Sequence, residues 1–204
     1  MKRIIVLAFL LTTFIGMNYA QTKKQSQTFI LTEKGVSALQ LDKKFVTKPQ
    51  AGSVYDAAVK IDRGLYQLKK GGKEIGNAVV SGGKLLGFTI YATNVELENG
   101  VKIGMPFTEA IQKEGVEAGF EIFASPDDEW VDMSIRCKNI KIEGASVSES
   151  GQKVIEKINA RREAGTFDYD NPNFPQLTPE HINKSAKVES FQVGQEWEEG
   201  FTIN

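Results

Sequence analysis

Histidine and cysteine each occur once in this 204-residue chain, as His181 and Cys137. A lone histidine excludes His-His metal sites, including the common catalytic zinc arrangements. No metal and no cofactor is expected. A Ser–His–acid triad would have to use His181, and no Gly-x-Ser-x-Gly elbow accompanies it. His181 therefore reads as a surface residue at the start of a short helix. A lone cysteine cannot close an internal disulfide, so the fold must rest on its core. Cys137 follows Val131, Met133 and Ile135 at alternate positions. That pattern makes it a small buried apolar group on a strand rather than a reactive thiol. Basic charge is not in excess either, with 25 Lys and Arg against 26 Asp and Glu. Nucleic acid is thus not an expected partner. The glycine pairs Gly71-Gly72 and Gly82-Gly83 lie between strands, so neither forms a phosphate-binding loop.

What is present begins with an export signature. Lys2 and Arg3 precede an apolar run from Ile4 to Gly16, and Asn18-Tyr19-Ala20 offers a small residue before Gln21. Residues 1–20 read as a secretory signal peptide. As a membrane anchor the run is too short to span comfortably, and no cysteine follows it to carry lipid. The expectation is a periplasmic or secreted protein with no stable membrane insertion after cleavage. Without Lys2 and Arg3, 23 basic and 26 acidic residues remain. Residues 21–204 are enough for a single α+β domain.

The chain is organised around Glu98–Gly115. Val101 and Ile103 alternate with Lys102, as in a half-buried strand. Gly104 suits a turn, Pro106 a first helical turn, and Phe107, Ala110 and Ile111 share one helical face. Gly115 is the expected stop. A weaker copy lies earlier, over Gly35–Phe45. There Leu41-Asp42-Lys43-Lys44-Phe45 matches Ile103-Gly104-Met105-Pro106-Phe107, with Asp42 in place of the turn glycine. The recurrence suggests two similar halves, 28–95 and 96–193. An internal duplication and a chance likeness of two strand–turn–helix units both remain open.

Around these units the pattern is largely β. Thr28–Leu31 reads as a first short strand, and Val54–Ile61 as a short helix or irregular segment. Leu65–Ala92 predicts a three-stranded antiparallel meander turning at Gly71-Gly72 and Ser81-Gly82-Gly83. Phe120–Ile142 predicts a second β region. Ser148–Glu163 predicts the longest helix, capped by serine and ended by Gly165. Val188, Phe191 and Val193 predict a last strand. The expected fold class is α+β, with antiparallel sheets and few short helices.

Candidate sites are sparse. Asp127-Asp128-Glu129 and Glu196, Glu198 and Glu199 could supply paired carboxylates for glycoside hydrolysis, which needs two carboxyls about 5–10 Å apart. Asp168, Asp170, Asn171 and Asn173 have the oxygen content of a calcium loop. However, Pro172 falls where a ligand is needed and the sixth-place glycine is missing. Phe167, Tyr169 and Phe174, with Trp130 and Trp197, could form a stacking platform for a sugar or peptide. Tyr169, Phe174 and Trp197 are the nominated ligand-binding residues, and no catalytic residue is nominated.

The signal peptide and the Gly-Val-x-Ile-Gly-Met-Pro-Phe segment, Gly100–Phe107, resemble small secreted proteins of uncharacterised function common in gut Bacteroides. Ala186–Val193 resembles a closing strand in such proteins. The segment is more distantly similar to the Gly-Met-Thr junction of the SmpA/OmlA outer-membrane assembly lipoproteins and of beta-lactamase-inhibitor-like folds. The resemblance implies helices on an antiparallel sheet, often in tandem, and brings no catalytic residues. Here Pro106 replaces the capping threonine, and the lipid-anchor cysteine is missing. The expected function is a non-enzymatic binding or interaction protein of the bacterial envelope, its ligand a protein or glycan. The alternatives are a carboxylate-dependent hydrolase acting on glycan or cell-wall material, and an inhibitor of a secreted enzyme.

Overall fold

A computed structural model describes residues 27–124, 129–166, 171, 173 and 175–195, with side chains outside 120–134. In chain order the elements are β1 (Phe29–Leu31), β2 (Gly35–Val36), β3 (Leu39–Gln40), β4 (Ala57–Asp62), β5 (Leu65–Lys70), β6 (Lys73–Ser81) and β7 (Lys84–Ile90). Then follow β8 (Val95–Leu97), α1 (Phe107–Ala110), β9 (Val116–Ala124), β10 (Glu129–Cys137), β11 (Ile140–Glu143), α2 (Glu149–Glu163) and β12 (Ser190–Gly194). Eight strands form one sheet in the order β4-β5-β6-β7-β12-β11-β10-β9. Every neighbouring pair in it is antiparallel. The fold is α+β, with a large antiparallel sheet and few helices.

Local chemistry accounts for the turns. Gly71 and Gly72 have φ of +56° and +78°, the left-handed pair that a two-residue hairpin needs. Gly82 and Gly83 repeat this between β6 and β7, at +56° and +75°. Helix α2 starts where Ser148 accepts a hydrogen bond from the Gly151 N–H, and Arg161 and Arg162 occupy its last turn.

Three expectations need correction. Val54–Ile61 is not helical: its second part is β4, held by pairing with β5. That makes the first meander four-stranded. Val101–Ile103 is not a strand, and only Lys102 bridges to Glu96. The ordered strand is Val95–Leu97, because it finds a parallel partner in β1, with Leu31 beside Leu97. Helix α1 is a single turn, Phe107–Ala110, and does not run on to the stop expected at Gly115.

The two halves make matching contacts. Asp42 N–H donates to the Leu85 carbonyl (2.8 Å), Leu85 N–H to Lys43 (3.0 Å) and Phe45 N–H to Gly83 (2.8 Å). In the second half, Gly104 N–H donates to Val188 (2.7 Å), Val188 N–H to Met105 (2.9 Å) and Phe107 N–H to Ala186 (3.0 Å). Asp42 and Gly104 both take positive φ, +61° and +85°. The strands they hold share Lys84-Leu85-x-x-Phe88-x-Ile90 and Lys187-Val188-x-x-Phe191-x-Val193. β7 and β12 lie side by side, with Thr89 opposite Gln192, Phe88 opposite Val193 and Ile90 opposite Phe191. Exchanging the two strands reproduces this register. The sheet is thus two four-stranded meanders joined at their last strands. Between β11 and β12 the chain carries α2, which has no counterpart between β6 and β7.

The core lies on one face of this sheet. Phe88, Ile90, Phe191 and Val193 at the seam are all buried, and so are Leu68, Ile135, Ile140 and Ile142 farther out. β1, β8 and α1 cover it through Leu31, Val95, Leu97, Phe107 and Ala110.

Candidate functional site

The nominated Tyr169, Phe174 and Trp197 lie outside the described residues. So do Phe167, Asp168, Asp170, Asp127, Asp128, Glu196, Glu198 and Glu199. His181 is half-buried and serves the backbone. Its Nδ1 accepts from the Thr178 N–H at 3.0 Å, and its carbonyl accepts from the Ser148 N–H at 2.7 Å. These bonds tie a 3-10 turn, Pro179–His181, to the start of α2. Among the described residues no group of three or more His, Cys, Asp or Glu side chains could hold a metal. No described helix is long and apolar enough to cross a membrane.

What the structure does assemble is a cavity of about 630 Å³. Two turns that correspond in the halves form one wall, Thr32-Glu33-Lys34 and Glu98-Asn99. Glu114-Gly115, just before β9, and the β10–β11 hairpin form the other. Leu31, Leu97, Ile140 and Cys137 give it an apolar lining, each no more than 8% exposed. The lining also carries charge. Glu98 pairs with Lys138 at 3.9 Å, while Lys34 and Glu114 are exposed and Glu33 is half-buried.

Asn99 holds the walls together. Its Oδ1 accepts from the Val101 N–H (3.2 Å), a local turn bond of the kind Asn favours. Its Nδ2 donates to the Glu114 carbonyl (2.7 Å) and to Cys137 Sγ (3.4 Å). The sequence reading missed this role. No local signal in the sequence links Asn99 to Cys137. Lys138, at φ +56°, turns the chain from β10 into β11.

Cys137 is buried, as its strand pattern predicts, and it also borders the cavity. Burial pushes its thiol above the ordinary range, and Glu33 and Glu98 add to this; Lys138 and the Asn99 hydrogen bond act the other way. His181 does not line the cavity. The thiol therefore has no imidazole to activate it, and stays protonated at neutral pH. We expect iodoacetamide to alkylate native Cys137 at least about tenfold more slowly at pH 7 than the urea-unfolded chain. The rate should climb with pH past the point where an ordinary cysteine levels off. Equal native and unfolded rates would contradict this reading.

Two other features lie away from the cavity. On the sheet face opposite the core, Gln67, Asn77, Thr89, Gln192, Lys141 and Arg136 stand side by side in register. Gln192 is buried there, and its Oε1 has no hydrogen-bond partner among the described residues. Nearby, Glu74 accepts from Gln67 Nε2 and from the Tyr91 hydroxyl. Burial and the Glu74 carboxylate raise the Tyr91 pKa. The second feature is the edge strand β4, where Val59 and Ile61 are exposed. That edge is guarded. Thr47 accepts the Ala58 N–H at 2.8 Å, and the register shifts between Lys60 and Asp62.

No family model and no curated protein matches the chain, so the resemblances noted above stand on their quoted residues alone. Among solved structures, the uncharacterized protein yfeY from Escherichia coli is similar at 15% identity and a TM-score of 0.42. The match covers 81% of this chain and 99% of that one.

Proposed function

We propose that this chain is an exported, non-enzymatic binding protein that takes a small ligand in the cavity between the turns of its two halves. One observation carries the reading: an apolar-lined cavity of about 630 Å³ whose lining also carries charged side chains. Ligand sites commonly have this character, with volumes of roughly 300–1,000 Å³. The only thiol at the cavity lacks a base, which favours holding a ligand over transforming it. Hydrolysis by two carboxylates finds less support here, since of the three in the lining Glu98 is offset by Lys138 and Glu114 faces solvent, which leaves Glu33 alone. We read the two halves as repeats of one unit, and the export signature as placing the protein in the periplasm or outside the cell.

The test uses N-phenyl-1-naphthylamine, a neutral apolar dye that brightens out of water. It should bind the full mature chain, 21–204, saturably at one site. Alkylating Cys137 with N-ethylmaleimide puts a bulky group into the cavity and should abolish most of the signal, while circular dichroism stays unchanged. No saturable binding, or binding indifferent to alkylation, would overturn the reading.

A further inference from the structure

Given the cavity as the ligand site, on which this inference rests, the charges around it narrow the ligand. The lining carries three carboxylates, Glu33, Glu98 and Glu114, against two ammonium groups, Lys34 and Lys138. They are not equivalent. Glu98 and Lys138 face each other at 3.9 Å and offset one another. Lys34 and Glu114 are exposed, where water and salt screen them. Glu33 alone among the five is half-buried, and it has no ion-pair partner among the described residues. It sits two residues from Leu31, which lines the apolar part of the cavity with Leu97 and Ile140. A carboxylate at the edge of an apolar cavity gains most from a cation that brings its own apolar body. Such a ligand covers Leu31 and Leu97 while its head meets the charge, and a charge-assisted contact there is stronger than one in open water.

We propose that the cavity selects amphipathic amines, with an apolar body against Leu31, Leu97 and Ile140 and a monovalent ammonium head at Glu33. An anionic amphiphile of the same length would set its head against Glu33 and is disfavoured. Lys34 does not reverse the preference, because its exposed ammonium is already well solvated.

The experiment displaces bound N-phenyl-1-naphthylamine with octylammonium or with octanoate, matched in chain length and opposite in charge. Octylammonium should compete at least about tenfold better at low salt, and raised salt should narrow the gap. Glu33→Gln should bring the two competitors within about twofold of each other, each compared at the same starting dye occupancy. Glu114→Gln, a change at an exposed position, should preserve most of the discrimination. Octanoate competing as well as octylammonium would overturn the proposal, as would discrimination that survives Glu33→Gln. If the dye binds and only the charge preference fails, the cavity reading stands and this inference falls. If the neutral dye itself fails to bind, both fall.

Discussion

Phe191→Ala is expected to destabilise the fold by about 3–5 kcal/mol, the range for emptying a buried phenylalanine site. The ring is fully buried, at 0% exposure. It lies on β12, whose partners are β7 on one side and β11 on the other, and it faces Ile90 and Ile142. Removing it opens a void where the two meanders join, and both neighbouring strands are already fixed by backbone hydrogen bonds. Collapse into the void is therefore limited. A domain of ordinary stability has about 5–15 kcal/mol in total. Urea unfolding should show a much lower midpoint with an unchanged slope. Phe88→Ala, the matching change on β7, should cost a similar amount. The two rings are diagonal neighbours across one strand pair, so the double variant should depart from additivity. A loss below about 1 kcal/mol for Phe191→Ala would mean that the seam is not the packed centre of the molecule.

Gly35→Ala should cost about 3 kcal/mol or more, while Gly100→Ala costs only about 1–2 kcal/mol. The two glycines hold the same place in the recurring Gly-Val pattern, and their surroundings differ. At Gly35, φ is +132° and a Cβ would stand 1.9 Å from the Leu39 carbonyl oxygen. That oxygen belongs to the facing strand of the β2–β3 hairpin and has no room to yield. At Gly100, φ is +83° and a Cβ would meet nothing within 4 Å. Only the left-handed backbone is then strained. Thermal and urea unfolding of the two single variants would measure the contrast. Equal costs would show that conformation alone, and not the close approach of Leu39, governs this position.

These residues also show how far the sequence could be read. Gly71-Gly72 announced a hairpin because positive φ is a local property of glycine, and the hairpin forms there. Ser148 announced a helix start for an equally local reason, since its hydroxyl can reach an N–H three residues on. The match of Asp42 to Gly104 was legible too, and the structure gives both positive φ. The stronger match between Lys84–Ile90 and Lys187–Val193 is present in the same letters but is out of step with the first, because the α2 region lies between β11 and β12. β4 was not legible. Six residues are too few to separate strand from helix by period, and pairing with β5 decides the matter. The choice of Val95–Leu97 over Val101–Ile103 rested on a partner, β1, more than sixty residues away.

The candidate site was less legible than the fold, because its lining comes from four separate stretches: 31–34, 97–99, 114–115, and 137, 138 and 140. None of them carries a motif, and no local rule brings them together. The sequence by itself determined the turn positions, the period-2 strands, the capped helix and the exclusion of His-His metal sites. Each of those follows from a residue and its near neighbours. Only the tertiary structure decided that β12 enters between β7 and β11, and that the turns at Glu33 and Glu98 meet around an open space. Those outcomes depend on which distant apolar faces bury one another. The burial of Phe88, Ile90, Phe191 and Val193 against a common core fixed the arrangement.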